Sequence, residues 1–289
     1  MKIYRFNPYT MVRTFLLVLV VAVTLLPFLY MINVSLSGTG YVLRGEVSLW
    51  PKGFNLDSYV QVLNDKRIAI GYKNTLIYVV AGTALSLLLT AMAGYALSRR
   101  HMVFNKPIMV LLLVTMLFNG GMIPTFLVVR SYGLVDTMWA MLLPGAISVW
   151  YLILMRTFFQ AIPNEMIESG KMDGLNDIGI FIRLVLPVSL PSLATIGLFY
   201  GVGIWNNFFS ALLYLRSESL FPLQVFLRNI VMLGLDLGDN ITRGSDAEAV
   251  LPEALKYATI IVSTLPIMLV YPFVQKYFVS GIMIGSIKG

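Results

Sequence analysis

Glu168-Ser169-Gly170-Lys171-Met172-Asp173-Gly174, with Leu186-Pro187 downstream, is a compact polar island in a chain otherwise dominated by apolar runs. Ile162-Pro163-Asn164-Glu165 reads as the start of a helix, because proline is tolerated in a first turn and acidic side chains there face unpaired amide groups. Helical spacing places Met166, Ile167 and Gly170 on or near one face and lets Glu165 and Glu168 point elsewhere, giving a short amphipathic helix. Gly174 ends that helix by taking a positive backbone dihedral without a side-chain clash. Asn176 or Asp177 caps a second short helix carrying Ile178, Ile180, Phe181 and Leu184. Pro187 and Pro191 then mark a break before the next apolar run. The expected geometry is helix, glycine turn, helix, and then a turn into the membrane.

Outward from the island the chain is built for lipid. Of its 289 residues 58% are hydrophobic and only 12% are charged, about half the charged fraction of an ordinary soluble domain. Runs of about 20 apolar residues cross roughly 30 Å of hydrocarbon as helices, and helices are required because lipid offers no partner to open backbone groups. The expected fold is an all-α polytopic membrane protein, one transmembrane domain over residues 1–289. Six transmembrane helices are expected, over residues 14–36, 74–97, 107–129, 137–155, 190–215 and 257–277, with 160–187 as a polar elbow.

Lys2, Arg5 and Arg13 ahead of the first run also resemble the basic start of a cleaved signal peptide. The run is long for that role and ends without an Ala-x-Ala site, which favours a retained anchor with its N-terminus inside. Arg99, Arg100 and Lys106 crowd the connection between the second and third spans, whereas the next connection carries only Arg130. The positive-inside rule makes the former cytoplasmic, and with it the elbow and both termini. Two longer segments fall on the outer side, residues 37–70 and 216–256, the latter with Asp236, Asp239, Asp246, Glu248 and Glu253. They cap the spans or touch an external protein, or they are solvated connectors with short helices. The island differs because its charges come with helix signals, and it is suited to meeting a soluble partner.

Glu168-Ser169-Gly170, Asp173-Gly174, Phe181 and Leu186-Pro187 resemble the EAA loop of ABC importer permeases, in both residue type and spacing. Ser169 and Gly170 stand where alanines are usual, and Leu175 replaces the small residue that often follows the glycine. Trp205-Asn206-Asn207-Phe208-Phe209, Pro222-Leu223, and Gln275-Lys276-Tyr277-Phe278-Val279-Ser280-Gly281 with the closing Gly285-Ser286-Ile287-Lys288-Gly289 resemble the carbohydrate-uptake, MalG-like branch. The resemblance covers roughly residues 10–289. It implies a non-catalytic subunit of a bacterial cytoplasmic (inner) membrane, binding-protein-dependent transport system. Two ATP-binding subunits, carrying ATP and magnesium, would receive the EAA-type coupling loop in a cleft. Glu165, Met166, Ile167, Glu168, Gly170, Asp173, Gly174 and Phe181 would form the coupling element, and a tail with Gln275, Lys276 and Gly281 would extend along the ATPases or simply end as a basic terminus. A second, related permease, an external or periplasmic solute-binding protein and a saccharide substrate complete the implied assembly; a homodimer is the alternative pairing.

The remaining residues exclude several chemistries. No Gly-x-x-x-x-Gly-Lys-Ser/Thr occurs, so ATP must be hydrolysed by another chain. Cysteine is absent and the single histidine, His101, sits beside Arg99 and Arg100, which argues against a metal centre or thiol chemistry and against any cofactor bound by this chain. Nothing points to nucleic acid. Trp205, Asn206, Asn207 and Phe208 are candidates for the substrate path, since an aromatic ring packs on a sugar's C–H face while amides bond its hydroxyls; the alternative is helix-to-helix glue at a break in the fifth span. Asn119, with Gly120, Gly121 and Pro124, interrupts the third span by bending it or by lining a cavity. An ion-coupled secondary transporter would more often place a charge inside a span, yet Lys73 and Lys256 lie near span edges. A non-transporting scaffold gives no reason for a lever-like loop.

Overall fold

Uninterrupted leucine, valine and phenylalanine runs leave the backbone of this chain little option but helix. The computed structural model describes residues 8–99, 102–233 and 253–286, the side chains of residues 8, 233, 271 and 273–286 lying outside the described ones. The described backbone is helical apart from loops and one isolated bridge, Ser37 with Phe54. The order is α1 Pro8–Ser35, α2 Thr39–Leu43, α3 Asp57–Asn64, α4 Lys66–Ser98, α5 Asn105–Leu117, α6 Met122–Ser131, α7 Trp139–Leu142 and α8 Val149–Gln160. Then come α9 Asn164–Met172, α10 Asp177–Ile180, a π-helical turn Phe181–Val185, α11 Leu186–Val188, α12 Leu190–Trp205, α13 Phe209–Tyr214, α14 Leu223–Leu233 and α15 Glu253–Ser286.

Among the described residues three helices are long and apolar enough to cross a membrane, Tyr9–Ser35, Lys66–Ser98 and Glu253–Val270, or up to five if each of two bent pairs is one span. Several expected spans are therefore not single rods. The third, 107–129, is α5 and α6 meeting at 113°. Asn119-Gly120-Gly121 leaves the helix there, and Gly121 takes φ 89°, a conformation that favours glycine. The span expected over 137–155 is broken too: four residues of α7 and then α8 are helical, with residues 143–148 irregular between them. Pro144 and Gly145 supply the break, and hydropathy averaged over the whole run passes through it. The fifth, 190–215, is α12 and α13 separated at Asn206, Asn207 and Phe208.

The chain divides into two compact units, Met1–Ile68 with Leu227–Leu265, and Ala69–Phe226 with Pro266–Gly289. In the first, Val34, Val42, Val47 and Ala254 form a small core with Tyr257 against it, and the Tyr257 ring meets Tyr30 edge-on at 6.2 Å. In the second, α8 packs on α5 and α12. Small residues of α4 admit close neighbours, since lipid-embedded helices gain from close backbone approach: a Cβ at Gly94 would lie 3.1 Å from Met155 Cγ.

Irregular backbone in the second unit is tied down by side chains. Asn74 Nδ2 donates to the carbonyls of Ser219 (2.7 Å) and Phe221 (3.0 Å), Tyr78 OH donates to Leu220 O (2.7 Å), and Thr75 Oγ1 accepts from Leu223 N–H (2.8 Å). Asp136, in the connection before α7, accepts from Ser217 Oγ (2.6 Å) and from the amides of Ser217 (2.9 Å) and Arg216 (2.8 Å). These bonds, the Ser217 hydroxyl foremost, hold the Asp136 carboxyl below its ordinary range.

Candidate functional site

The elbow is built as its residue types dictate. Pro163 precedes α9, Glu165 sits in the first turn and Lys171 in the last, each complementing the helix dipole. Gly174 takes φ 79° with nothing within 4 Å of a would-be Cβ, so glycine is there for its backbone conformation. Its N–H donates to Lys171 O (3.0 Å), and Leu175 N–H donates to Gly170 O (3.0 Å), closing the helix end. Of the two residues read as the second cap, Asn176 does the work, its Oδ1 accepting from Gly179 N–H at 2.7 Å.

The two faces of the elbow have different surroundings. Glu165, Glu168, Asp173 and Gly174 are exposed, Met166 is half-buried, and Ile167, Gly170 and Phe181 are buried. Ile167, Ile180 and Phe181 share one core with Ala91 and Tyr95 of α4, Met155 and Phe159 of α8, and Ile196 and Tyr200 of α12. Phe181 lies 4.9 Å from the Tyr95 ring and edge-on to Phe159 at 6.5 Å, while Tyr95 and Phe159 meet edge-on at 6.3 Å. Arg99 lies over the Tyr95 ring at 4.2 Å and donates to its hydroxyl, which in turn reaches the Asp177 carbonyl at 3.3 Å. The underside of the elbow is thus fastened to three helices, and its charged side is free to meet another surface. A cleft of about 710 Å³ opens beside it, with Arg99, Glu168, Lys171 and Asp177 on its walls.

Gly170 and its departure from alanine have a packing explanation. A Cβ there would lie 2.6 Å from Leu184 Cδ1, 3.3 Å from Ile180 Cγ1 and 3.7 Å from Leu175 Cδ1. The space an alanine methyl would take is occupied by Leu184, with Ile180 next to it, while Leu175, which also departs from the EAA pattern, lies at ordinary contact distance.

A second cavity, about 230 Å³, lies among α4, the break before α8, α8 and α12; Ser86, Ser148, Tyr151, Phe199, Tyr200 and Asn207 contribute to it, and no charged side chain lines it. Tyr151 stacks on Phe199 at 5.7 Å and meets Tyr200 edge-on at 4.7 Å. The Tyr200 hydroxyl is held by Thr90 Oγ1 (2.8 Å) and by Ser148 N–H (2.9 Å). Of the residues the sequence nominated for a substrate path, Asn207 lines this cavity and the others do not. Trp205 is buried edge-on to Tyr72 at 6.5 Å. Asn206 is exposed and donates to Val202 O (2.9 Å), Phe208 is exposed, and Asn119 is exposed and accepts from Gly121 N–H (3.0 Å) at the α5–α6 break. Ser86, Ser148, Tyr151, Phe199 and Tyr200 escaped sequence reading; hydroxyls recurring inside apolar runs are the signal that marks all of them but Phe199. Gln275, Lys276 and Gly281 fall on α15, and the side chains there lie outside the described residues.

Residues 86–284 match the family profile described as binding-protein-dependent transport system inner membrane component. The chain is 43% identical over 270 residues to the polygalacturonan/rhamnogalacturonan transport system permease protein YtcP of Bacillus subtilis (strain 168), covering 92% of this chain and 93% of that protein. It is likewise 43% identical over 270 residues to protein LplC of the same organism, covering 93% and 90%. It superposes with a TM-score of 0.88 and 34% identity on a chain of a bacterial ABC transporter involved in the import of the acidic polysaccharide alginate, covering 96% of this chain and 100% of that one. Family members serve importers with ATPase and solute-binding partners. With its multi-pass helical fold and its sequence, this chain belongs to the binding-protein-dependent inner membrane components, the non-catalytic permease subunits of ABC importers.

Proposed function

We propose that this permease forms half of the translocation path of a saccharide importer and that residues 160–187 carry motion from two ATPase subunits to its spans. The observation that carries the reading is the shared core: Ile167 and Phe181 pack with side chains of α4, α8 and α12, so displacement of the elbow displaces all three. Glu165, Glu168, Asp173 and Gly174 form the ATPase-facing side, with Met166, Ile167, Gly170 and Phe181 as the anchor. The domain has six spans when the α5–α6 pair, the 137–160 segment and the α12–α13 pair each count as one crossing, with both termini cytoplasmic. Gln275, Lys276 and Gly281 extend toward the ATPases.

A second, related permease supplies the other half of the path, and an external solute-binding protein delivers the cargo to it. ATP binding shifts the population between inward-open and outward-open arrangements. The uncharged cavity, with Asn207, Ser86, Ser148 and three aromatic rings, suits hydroxyls and C–H faces of a sugar. Saccharide cargo is supported by the polygalacturonan/rhamnogalacturonan permease and by the alginate importer, and uronate-rich oligosaccharides head the list to be tried.

Uptake into sealed proteoliposomes holding the complete complex, with and without internal ATP, tests this on a panel of uronate, neutral and branched plant-wall oligosaccharides. ATP-dependent accumulation of at least one class is expected. Glu168→Lys should leave assembly intact and abolish uptake while ATP hydrolysis continues. Normal uptake by that variant removes the coupling role.

A further inference from the structure

The loop after α1 presents a surface that neither the elbow nor the cavity uses. Residues 15–32 of α1 carry no charge and rise roughly 27 Å at about 1.5 Å per residue, close to the ~30 Å of a hydrocarbon core. Asn33, Ser35 and Ser37 therefore mark the boundary where α1 leaves the lipid. The following loop is tied to that boundary rather than projecting from it. Asn33 Nδ2 donates to Ser48 O (3.4 Å), Lys52 N–H donates to Ser37 Oγ (3.0 Å), Gly38 N–H donates to Lys52 O (3.0 Å) and Asn55 N–H donates to Leu36 O (2.9 Å). Residues 49–51 thus lie between two anchor points, Asn33 in the last turn of α1 and Ser37 just past its end.

The side chains displayed there are apolar and large. Trp50 is 81% exposed, Leu43 75%, Phe54 69% and Leu49 61%. The base that carries them is fixed: Gly53 takes φ 61°, and a Cβ there would lie 2.7 Å from the Tyr41 ring. Arg44 and Lys52 flank the patch and share Glu46 at 3.8 and 3.6 Å. In water this would be an exposed apolar patch on a rigid loop. At the edge of a bilayer the same composition, tryptophan with aliphatic residues below and cations beside them, is what an interface selects.

We propose that loop 38–54 is an interfacial anchor, with Leu49, Trp50 and Phe54 set into the headgroup and upper acyl region of the leaflet where α1 ends, and Lys52 and Arg44 at the level of the lipid phosphates. Lipid is the occupant because the patch continues, through the four hydrogen bonds above, from a helix whose described side chains are exposed from residue 9 to residue 30. The anchor fixes the depth of α1 and keeps the first unit's loop from lifting away from the membrane. It depends on α1 being a span, not on which cargo is carried.

The chain has no cysteine of its own, so single-cysteine variants report one position each. Trp50→Cys, Leu49→Cys and Asp57→Cys, spin-labelled in the assembled complex in phospholipid nanodiscs, are compared by collision with oxygen, which partitions into lipid, and with a water-soluble nickel chelate. Labels at positions 49 and 50 should collide with oxygen readily and with the chelate several-fold less than the label at 57. Equal chelate access at 49, 50 and 57 places the loop in water and overturns the proposal. Shielding of 49 and 50 from both reagents, with or without the solute-binding protein, makes the patch a protein contact and overturns it as well. Leu49→Cys retains Trp50, so the result survives if Trp50→Cys does not assemble.

Discussion

Asp136 is a residue whose contribution can be read by titration. Its carboxylate accepts three hydrogen bonds from Ser217 and Arg216, which lowers its pKa in the folded protein. A depressed carboxylate stabilises the fold above its unfolded pKa, about 3.9, and that stability is lost as pH falls through the lower folded value. Asp136→Asn should therefore lower the thermal midpoint at neutral pH, and the gap from the unsubstituted protein should close below about pH 4. Gly170 offers a different test. Gly170→Ala gains up to about 1 kcal/mol of helix propensity but drives a methyl into Leu184. Paired with Leu184→Val it should show a coupling of about 1 kcal/mol in a double-mutant cycle by thermal unfolding. Additive effects would mean the two residues do not share that space. Gly174, Asn176 and the exposed acids were legible in the sequence because caps and turns are local chemistry. The contact of Gly170 with Leu184 was not, since helical periodicity names a face without naming what fills it.

At the scale of elements, the elbow separates fastening from contact. Phe181→Ala removes one ring of the cluster formed with Tyr95 and Phe159 and should cost about 3 kcal/mol or more of stability, read as a lowered unfolding midpoint. Glu168→Lys, on the exposed face, should leave the midpoint within about 0.5 kcal/mol and affect only the link between hydrolysis and uptake. If both substitutions destabilised equally, the two-sided description would fail. Hydropathy is least ambiguous over α1 and α4, because both are continuous helices. It blurred the segment 137–155, where Pro144-Gly145 interrupts an apolar run without changing its average. The cavity was largely hidden for a related reason: Ser86, Tyr151 and Tyr200 come from three helices far apart in sequence, and only packing brings them together.

For the whole molecule, the proposed coupling requires the elbow on the cytoplasmic side, which labelling tests. Single cysteines at Asp173 and Asp57, probed with a membrane-impermeant maleimide on intact cells, should differ. The label should reach position 57 from outside, and position 173 only after the membrane is opened. Labelling of position 173 in intact cells would put the elbow on the wrong side for any ATPase. The charge asymmetry around Arg99 and Lys106 carried this expectation from sequence, whereas the division into two units was not visible there, because α4, α14 and α15 run through both.

The corner at Ser189 has a mechanical consequence. Asp177–Val188 and α12 meet there at 82°, and hydrogen bonding continues around the bend, Ser189 N–H donating to Val185 O and Leu193 N–H to Ser189 O. Two stiff arms at nearly a right angle act as a bell-crank. Under the proposed coupling, a sideways push on the short arm, about 18 Å long, tips the far end of the roughly 24 Å long arm by about a third more. Small strokes beneath the bilayer would thus arrive magnified at the residues around Asn207.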